Sequence, residues 1–312
     1  GLTVAENKTE AIFLHQKGKK PPQVHLRIGR VRVPVEAQMK YLGLILNGTW
    51  RFKEHFSRLA PRLKIISANL GKLMRNIGGP DMKARRLHAE IINSVALYDA
   101  PIWAEALAAS RPLCAILRRA HRTVAVRVIR TYWTVSHVAA TALAGMPPLE
   151  LLAGWAIARR GAETLEAPGS TAPLPTMEWA LARYKVWDEA VRLCLAEWAG
   201  RKTGTLTFRT TQVLTGHGCF GEYLCRIGKE RTTQCHHCTA DPHSAQHTPQ
   251  DCLAWVAERG VVASEVRPDL SLPSFVNAML GSERKWNPVT QFCETVIKKK
   301  EGAEEFRRQA EG

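Results

Sequence analysis

Four residues that commonly bind metals constrain the fold of this chain more than any other feature. Cys235, Cys238, His247 and Cys252 follow the pattern C-x2-C-x8-H-x4-C, and we call them the Cys/His cluster. A C-x2-C turn can bring two thiolates to one ion, and an imidazole and a third thiolate complete a tetrahedral shell. With four protein ligands, such a site has no open position for a catalytic water. The sequence therefore predicts a small domain built around a structural Zn²⁺ ion.

Two alternatives to this ligand set remain open. His243 would give C-x2-C-x4-H, the spacing of a retroviral zinc knuckle, but would leave a longer gap to Cys252. His236 and His237 lie inside the turn and would have to bend back to reach the ion. The cysteines could instead be unrelated buried thiols or disulfides, although four ligands at workable intervals rarely arise by accident.

The positive charge of the chain is concentrated in its N-terminal half. Residues 1–150 hold 24 lysines and arginines against nine aspartates and glutamates, whereas residues 151–312 hold 20 against 19. A half this basic is typical of proteins that bind the phosphate backbone of nucleic acids, since a merely solubilising surface mixes both signs. The sequence shows no signal peptide and no apolar run long enough for a membrane span. We therefore expect an intracellular protein with reduced thiols and no membrane partner.

Apolar periodicity predicts a mostly α-helical chain with a small antiparallel β element. Alternating apolar residues over 24–35 predict a hairpin, and a third strand is expected over 41–46. From residue 50 onward, apolar residues recur every three or four positions, which is typical of helices. Helices are expected over 50–76, 81–98, 112–130, 149–166, 177–199 and 286–310. Pro61 is expected to kink or restart the first of them, and the charged run 298–301 to fray in the last.

Several motifs occur in the order that is found in the C-terminal part of non-LTR retrotransposon reverse transcriptases. Residues 8–10 (KTE), followed by a hairpin and by residues 40–43 (KYLG), resemble the end of the polymerase palm. Three further segments resemble the thumb and the approach to a zinc knuckle in arthropod R-one-type elements: 130–136, 144–149 and 214–224. The resemblance covers nearly the whole chain. It departs from the family at Trp133, where arginine is more usual.

This resemblance implies a division into five segments. Residues 1–49 would be the end of the palm with its primer-grip strand, and 50–166 a basic helical thumb. Residues 167–209 would be a linker and helix, 210–256 the zinc-knuckle region and 257–312 a helical tail.

The resemblance also implies roles for single residues. Lys8 matches a lysine that protonates the departing pyrophosphate as a general acid, and an ordinary surface lysine is the alternative. Tyr41, Leu42 and Gly43 match the strand that contacts the primer terminus, and a plain buried strand is the alternative. Basic thumb residues would hold the template–primer duplex through its phosphates: Arg58, Arg62, Lys64, Arg118, Arg119 and Arg122.

A polymerase also needs paired aspartates that hold two metal ions. The chain has six aspartates and no two are adjacent, so we expect the catalytic pair and its Mg²⁺ in a full-length polymerase, upstream of Gly1. The chain alone is then expected to be inactive and to bind the RNA template, the DNA primer and target DNA in the nucleus. Its further partners would be the polymerase and endonuclease domains of the same polyprotein. The alternative is a stand-alone zinc-knuckle nucleic-acid-binding protein derived from a retroelement.

Overall fold

Helices predominate in a computed structural model of the chain. The structure describes residues 5, 8–16, 24–165, 197–198, 200–201, 204–266 and 269–311. Within these residues, the strands lie before residue 48 and every later element is helical. The expected mostly α-helical fold with a small β element is confirmed. Most of the helix predicted over 177–199, with the linker before it, lies outside the described residues.

The strands form two small sheets. In the first, β1 (Ala11–Ile12) pairs in parallel with β3 (Val31–Glu36), which pairs antiparallel with β2 (His25–Ile28). The order of this sheet is β1-β3-β2, and its β2–β3 hairpin agrees with the predicted one. The second sheet is an antiparallel hairpin of β4 (Gln38–Tyr41) and β5 (Leu44–Asn47).

The single strand predicted over 41–46 is wrong, because the chain reverses in the middle of this segment. Leu42 and Gly43 have φ angles of 46° and 95° and form the two-residue turn between β4 and β5. Two successive left-handed residues are typical of the tight turn that matches the twist of a hairpin. The apolar sequence of Tyr41, Leu42 and Leu44 concealed this turn.

The helices of the described part follow the predicted periodicity over most of their length. In chain order they are α1 (Lys53–Gly71), α2 (Met82–Ala96), α3 (Ala100–Ala108), α4 (Arg111–Val128), α5 (His137–Ala144), α6 (Leu149–Leu165), α7 (Phe208–Thr215), α8 (Gly221–Arg226), α9 (His247–Gln250), α10 (Val256–Ala263), α11 (Leu272–Gly281) and α12 (Glu283–Glu311). Helix α1 continues through Pro61. Pro101 lies in the first turn of α3, where a missing N–H breaks no helical hydrogen bond. None of these described helices is both long and apolar enough to cross a membrane.

The chain divides into two compact units. The first comprises Gly1–Ile66, Asn93–Ala120 and Leu149–Leu174, and the second comprises Ser67–Ile92, His121–Pro148 and Pro175–Gly312. In the first unit α3 packs against α6. On α1, the buried ring of Phe56 meets the Trp103 ring of α3 edge to face, with their centroids 5.1 Å apart.

Helix α12 is the centre of the second unit, since α7, α10 and α11 each pack against it. Its buried apolar residues recur every three or four positions: Val289, Phe292, Cys293, Val296 and Ile297. The same stripe continues to Lys300 and Glu304, which are also buried. The fraying expected over 298–301 is therefore wrong. The side chain of Lys300 is held in the protein interior, and the helix extends to Glu311.

Candidate metal centre

The four predicted ligand residues come together in the second unit. The three sulfurs and a ring nitrogen of His247 all lie within 4.8 Å of one another. Cys238 Sγ is 3.1 Å from His247 Nε2, and Cys235 Sγ is 3.9 Å from Cys252 Sγ. Donors bound to one tetrahedral zinc lie roughly 3.4–3.8 Å apart, given the usual Zn–N and Zn–S bond lengths. The three cysteines are free thiols, so the cluster has the composition and size of a Cys₃His metal site.

Short hydrogen-bonded segments place these ligands. In the turn that carries the first two cysteines, the Thr239 N–H donates to Cys235 O at 2.9 Å, and the Cys235 N–H donates to Ala240 O at 2.8 Å. His247 is the first residue of α9. The Cys252 N–H donates to His247 O at 2.9 Å, which returns the chain to the cluster one helical turn later. The last two ligands are therefore positioned by the backbone of a single turn.

The electrostatics of the thiols fit a bound cation. Burial, together with the neighbouring thiols of Cys238 and Cys235, raises the pKa of Cys252 to about 12. Burial opposes ionisation of Cys238 as well, but hydrogen bonds from backbone N–H groups and from the other two thiols bring its pKa below the ordinary value. Three adjacent thiols ionise together only if a cation offsets their repulsion. Zn²⁺ prefers this set of sulfur and nitrogen donors.

The competing histidine, His243, is directed away from the cluster. Its Nδ1 accepts a hydrogen bond from the Gly221 N–H at 3.1 Å, and its Nε2 lies 2.5 Å from Lys300 Nζ. Burial, followed by the positive charge of Lys300, lowers the pKa of His243 to about 2. Both ring nitrogens thus have partners within the protein. Of the two histidines, His247 is the one whose ring nitrogen lies within 4.8 Å of the three sulfurs.

The two histidines inside the C-x2-C turn also face other groups. His236 Nε2 is 3.3 Å from Glu230 Oε1. The ring of His237 lies 5.0 Å from that of Trp255. Their position inside the turn suggested that they would have to bend back to reach the ion. Neither belongs to the group of side chains that lie close enough to hold one.

Lys300 was not predicted from the sequence to take part in this site. Its side chain extends from α12 into the interior near the Cys/His cluster. Its side chain is only 1% exposed, and its Nζ lies 3.0 Å from Thr248 Oγ1 and 5.0 Å from the ring centre of Phe220. Burial lowers the pKa of Lys300 to about 8, while the nearby thiols of Cys235 and Cys252 raise it. The continuation of the apolar stripe of α12 to position 300 was the signal that could have predicted this burial.

The predicted nucleic-acid-binding residues lie on several elements. Arg58, Arg62 and Lys64 are exposed along α1, and Arg119 is exposed on α4. Their role in binding remains a prediction.

Two other predicted arginines on α4 have partners within the protein. Arg118 Nε donates to Glu150 Oε1 at 2.6 Å. Arg122 donates from Nε to Val135 O at 2.6 Å and from its terminal nitrogen to Trp133 O. The guanidinium of Arg122 therefore supports the loop that follows α4.

The residues matched to the primer grip lie at the hairpin turn. Tyr41 and Leu42 are exposed, and the Tyr98 hydroxyl donates to Leu42 O at 3.0 Å. A Cβ atom added to Gly43 would lie 3.2 Å from the Tyr98 ring, so this tyrosine closes over the turn. Lys8 is exposed shortly before β1.

The chain is similar to proteins of type-1 retrotransposable elements. The "Retrovirus-related Pol polyprotein from type-1 retrotransposable element R1 4" of Nasonia vitripennis is 23% identical over 322 aligned residues, which cover 90% of this chain and 81% of that relative. The "Putative 115 kDa protein in type-1 retrotransposable element R1DM" of Drosophila melanogaster is 25% identical over 264 residues, which cover 75% of this chain but only 25% of that relative. No protein-family model and no solved structure matches the chain.

These similarities support the origin of the chain in a non-LTR retrotransposon. They agree with the resemblance inferred from the KTE, KYLG and Cys/His motifs. The structure adds that a Cys₃His cluster able to hold a metal ion lies in the same chain.

Proposed function

We propose that this chain is a nucleic-acid-binding, C-terminal part of a retrotransposon RNA-directed DNA polymerase that carries out target-primed reverse transcription. The observation that carries this proposal is the similarity to a type-1 retrotransposon Pol polyprotein over 90% of the chain. The basic N-terminal half and the Cys/His cluster are compatible with a nucleic-acid-binding region, because positive charge attracts phosphates and small zinc domains occur in such proteins.

In this proposal the Cys/His cluster binds a structural Zn²⁺ ion. The ion would neutralise the thiolates and join the C-x2-C turn to α9 and the segment after it. Because the four protein ligands complete a tetrahedral shell, the cluster supports the fold and performs no chemistry on substrate. Mg²⁺ and the paired aspartates belong to the full-length polymerase.

The basic residues of the N-terminal half would hold the RNA template, the DNA primer and target DNA through their phosphates. Arg58, Arg62 and Lys64 suit this role because their side chains are exposed, so they can displace counterions from a nucleic acid. The exposed hairpin turn at Leu42 would contact the primer terminus, and the exposed Lys8 would serve as general acid in the complete polymerase. The five-segment division, and action in the nucleus beside the other domains of the polyprotein, are parts of the same proposal.

Salt-dependent binding tests the proposal. We expect the full chain to bind a fluorescent primer–template duplex with an affinity that falls steeply between 50 and 200 mM salt, since each phosphate contact contributes about 0.9 to the slope of log K against log[salt]. A flat salt response would contradict phosphate binding.

Transcript sequencing upstream of Gly1 distinguishes a polymerase fragment from a stand-alone protein. A palm with an aspartate pair supports the polymerase, and a nearby start codon supports a stand-alone protein.

A further inference from the structure

A cleft of about 410 Å³ lies in the second unit, beside the loop that joins α4 to α5. Its lining includes Asn76, Arg122, Arg127, Thr131, Tyr132 and Trp133, and the described residues that line it include no acidic side chain. This volume is within the range of sites that bind small molecules. We call it the Trp133 cleft.

Trp133 presents its indole ring to solvent from a fixed loop. Its side chain is 78% exposed. The backbone on both sides is held by the hydrogen bonds that Arg122 donates to Trp133 O and Val135 O. The Thr134 hydroxyl lies 2.8 Å from the Tyr223 hydroxyl, which ties the same loop to α8. An exposed ring on a fixed loop adds little to the core, but it can stack on another flat ring with little further loss of conformational entropy.

Arginine side chains line the cleft beside this ring. The Arg127 side chain is exposed at the cleft, and its carbonyl oxygen accepts a hydrogen bond from the buried Arg85. Burial, followed by the charges of Arg130 and Arg127, lowers the pKa of Arg85 to about 10. Two acidic groups, Asp81 and Glu294, act on Arg130. Several guanidinium groups in one place favour an anion such as phosphate.

We propose that the Trp133 cleft binds a nucleotide of a single-stranded nucleic acid, with its base stacked on Trp133 and a neighbouring phosphate paired with Arg127. An unpaired base presents a free face to an aromatic side chain, whereas the bases of a duplex are already stacked on one another. An inorganic anion would leave the indole without a partner. This inference rests on the proposed function and adds to it a site and a strand preference.

Substitution of Trp133 tests the stack. We expect Trp133→Ala in the full chain to bind ten-nucleotide oligothymidylate and oligouridylate roughly 5- to 150-fold more weakly than wild type, the range for loss of one base–aromatic stack. Trp133→Phe keeps a ring and should lose much less. Affinity for a blunt duplex should change by less than about twofold. Fluorescence anisotropy of the labelled strands gives all these affinities, and the two oligonucleotides show whether DNA or RNA is preferred.

Substitution of Arg127 tests the phosphate contact. Arg127→Gln should lower the slope of log K against log[salt] for the single strand by about one. Arg284→Gln is its matched control, since Arg284 is an exposed arginine paired with Glu265. Phe306→Ala is the control for loss of an exposed ring, because the Phe306 side chain is 74% exposed on α12. Both controls should bind like wild type.

The outcomes separate this inference from the proposed function. If Trp133→Ala keeps wild-type circular dichroism, metal content and single-strand affinity while the duplex still binds, the Trp133 cleft is not a nucleotide site. If polyglutamate displaces the oligonucleotides only from chains that retain Trp133, the cleft takes an acidic peptide and the inference is also overturned. If the wild-type chain binds neither strand nor duplex, the proposed function itself fails.

Discussion

The Cys/His cluster and the exposed basic face of α1 place their functional groups in opposite ways. At the cluster, four side chains from two short segments converge within 4.8 Å of one another. On α1, Arg58, Arg62 and Lys64 project into solvent along the helix. A metal shell needs every one of its ligands, whereas phosphate contacts contribute one increment each. Single substitutions should therefore be severe at the cluster and mild on α1.

The largest effect is expected for Cys235→Ser. Loss of one thiolate should abolish zinc binding and unfold residues 210–256, because binding free energy at a structural zinc site is largely folding free energy, on the order of 10 kcal/mol. Metal content by mass spectrometry and amide hydrogen exchange over this segment provide the measurements. Cys225→Ser is the matched control, since Cys225 is a half-buried free thiol outside the cluster. A full equivalent of zinc in Cys235→Ser would place the ligands elsewhere.

Two single substitutions, one at each candidate histidine, should show which of them is the zinc ligand. His247→Ala should lose most of its zinc, because Nε2 of His247 lies among the sulfurs. His243→Ala should keep a full equivalent, although it removes the hydrogen bond from the Gly221 N–H and should lower the free energy of unfolding by about 1–3 kcal/mol. Zinc titration and chemical denaturation measure the two effects. The reverse order of zinc affinities would make His243 the ligand.

The ligands of the cluster were predictable because a metal shell leaves a local signature in ligand type and spacing. The choice between His243 and His247 was not, since it depends on Lys300 and Gly221, which are far from each other in sequence. Lys300 was assigned to a frayed end by its charged neighbours. Tertiary packing of α12 overrode that local appearance.

In the basic N-terminal half, the sequence predicted the helices better than the exposure of single side chains. Its helices were predictable from periodicity, and its charge suggested nucleic acid. Composition does not show which arginines face solvent, however. Arg85 is completely buried and donates to backbone carbonyls of Pro80, Arg75 and Arg127, and Arg122 supports a loop. Leu42 and Gly43 form a turn within an apolar run. The backbone conformation of this segment is determined by the pairing of β4 with β5 rather than by the alternation of side chains along one strand.

A smaller effect is expected at Lys300, beside the cluster. Zinc with three thiolates carries a net negative charge, and the buried Lys300 ammonium would offset it. Lys300→Met should therefore weaken zinc affinity by about tenfold, the loss expected when one attractive charge interaction of about 1.4 kcal/mol is removed. Lys299→Met is the matched neighbour, because Lys299 is half exposed and pairs with Glu258. Unchanged zinc affinity with a higher unfolding temperature in Lys300→Met would show instead that this lysine is a buried charge with a net cost.

The smallest effects should occur on α1. Each of Arg58→Gln, Arg62→Gln and Lys64→Gln should weaken binding to a primer–template duplex by only about two- to threefold at moderate salt, and the triple variant should lower the slope of log K against log[salt] by up to about 2.7. A control triple with the same loss of charge, Arg284→Gln, Lys285→Gln and Lys298→Gln, changes exposed residues of α12. If both triples weaken binding equally, net charge rather than the α1 face attracts the duplex. If a single α1 substitution removes binding altogether, these residues form a converging site like the cluster, and the contrast between the two regions does not hold.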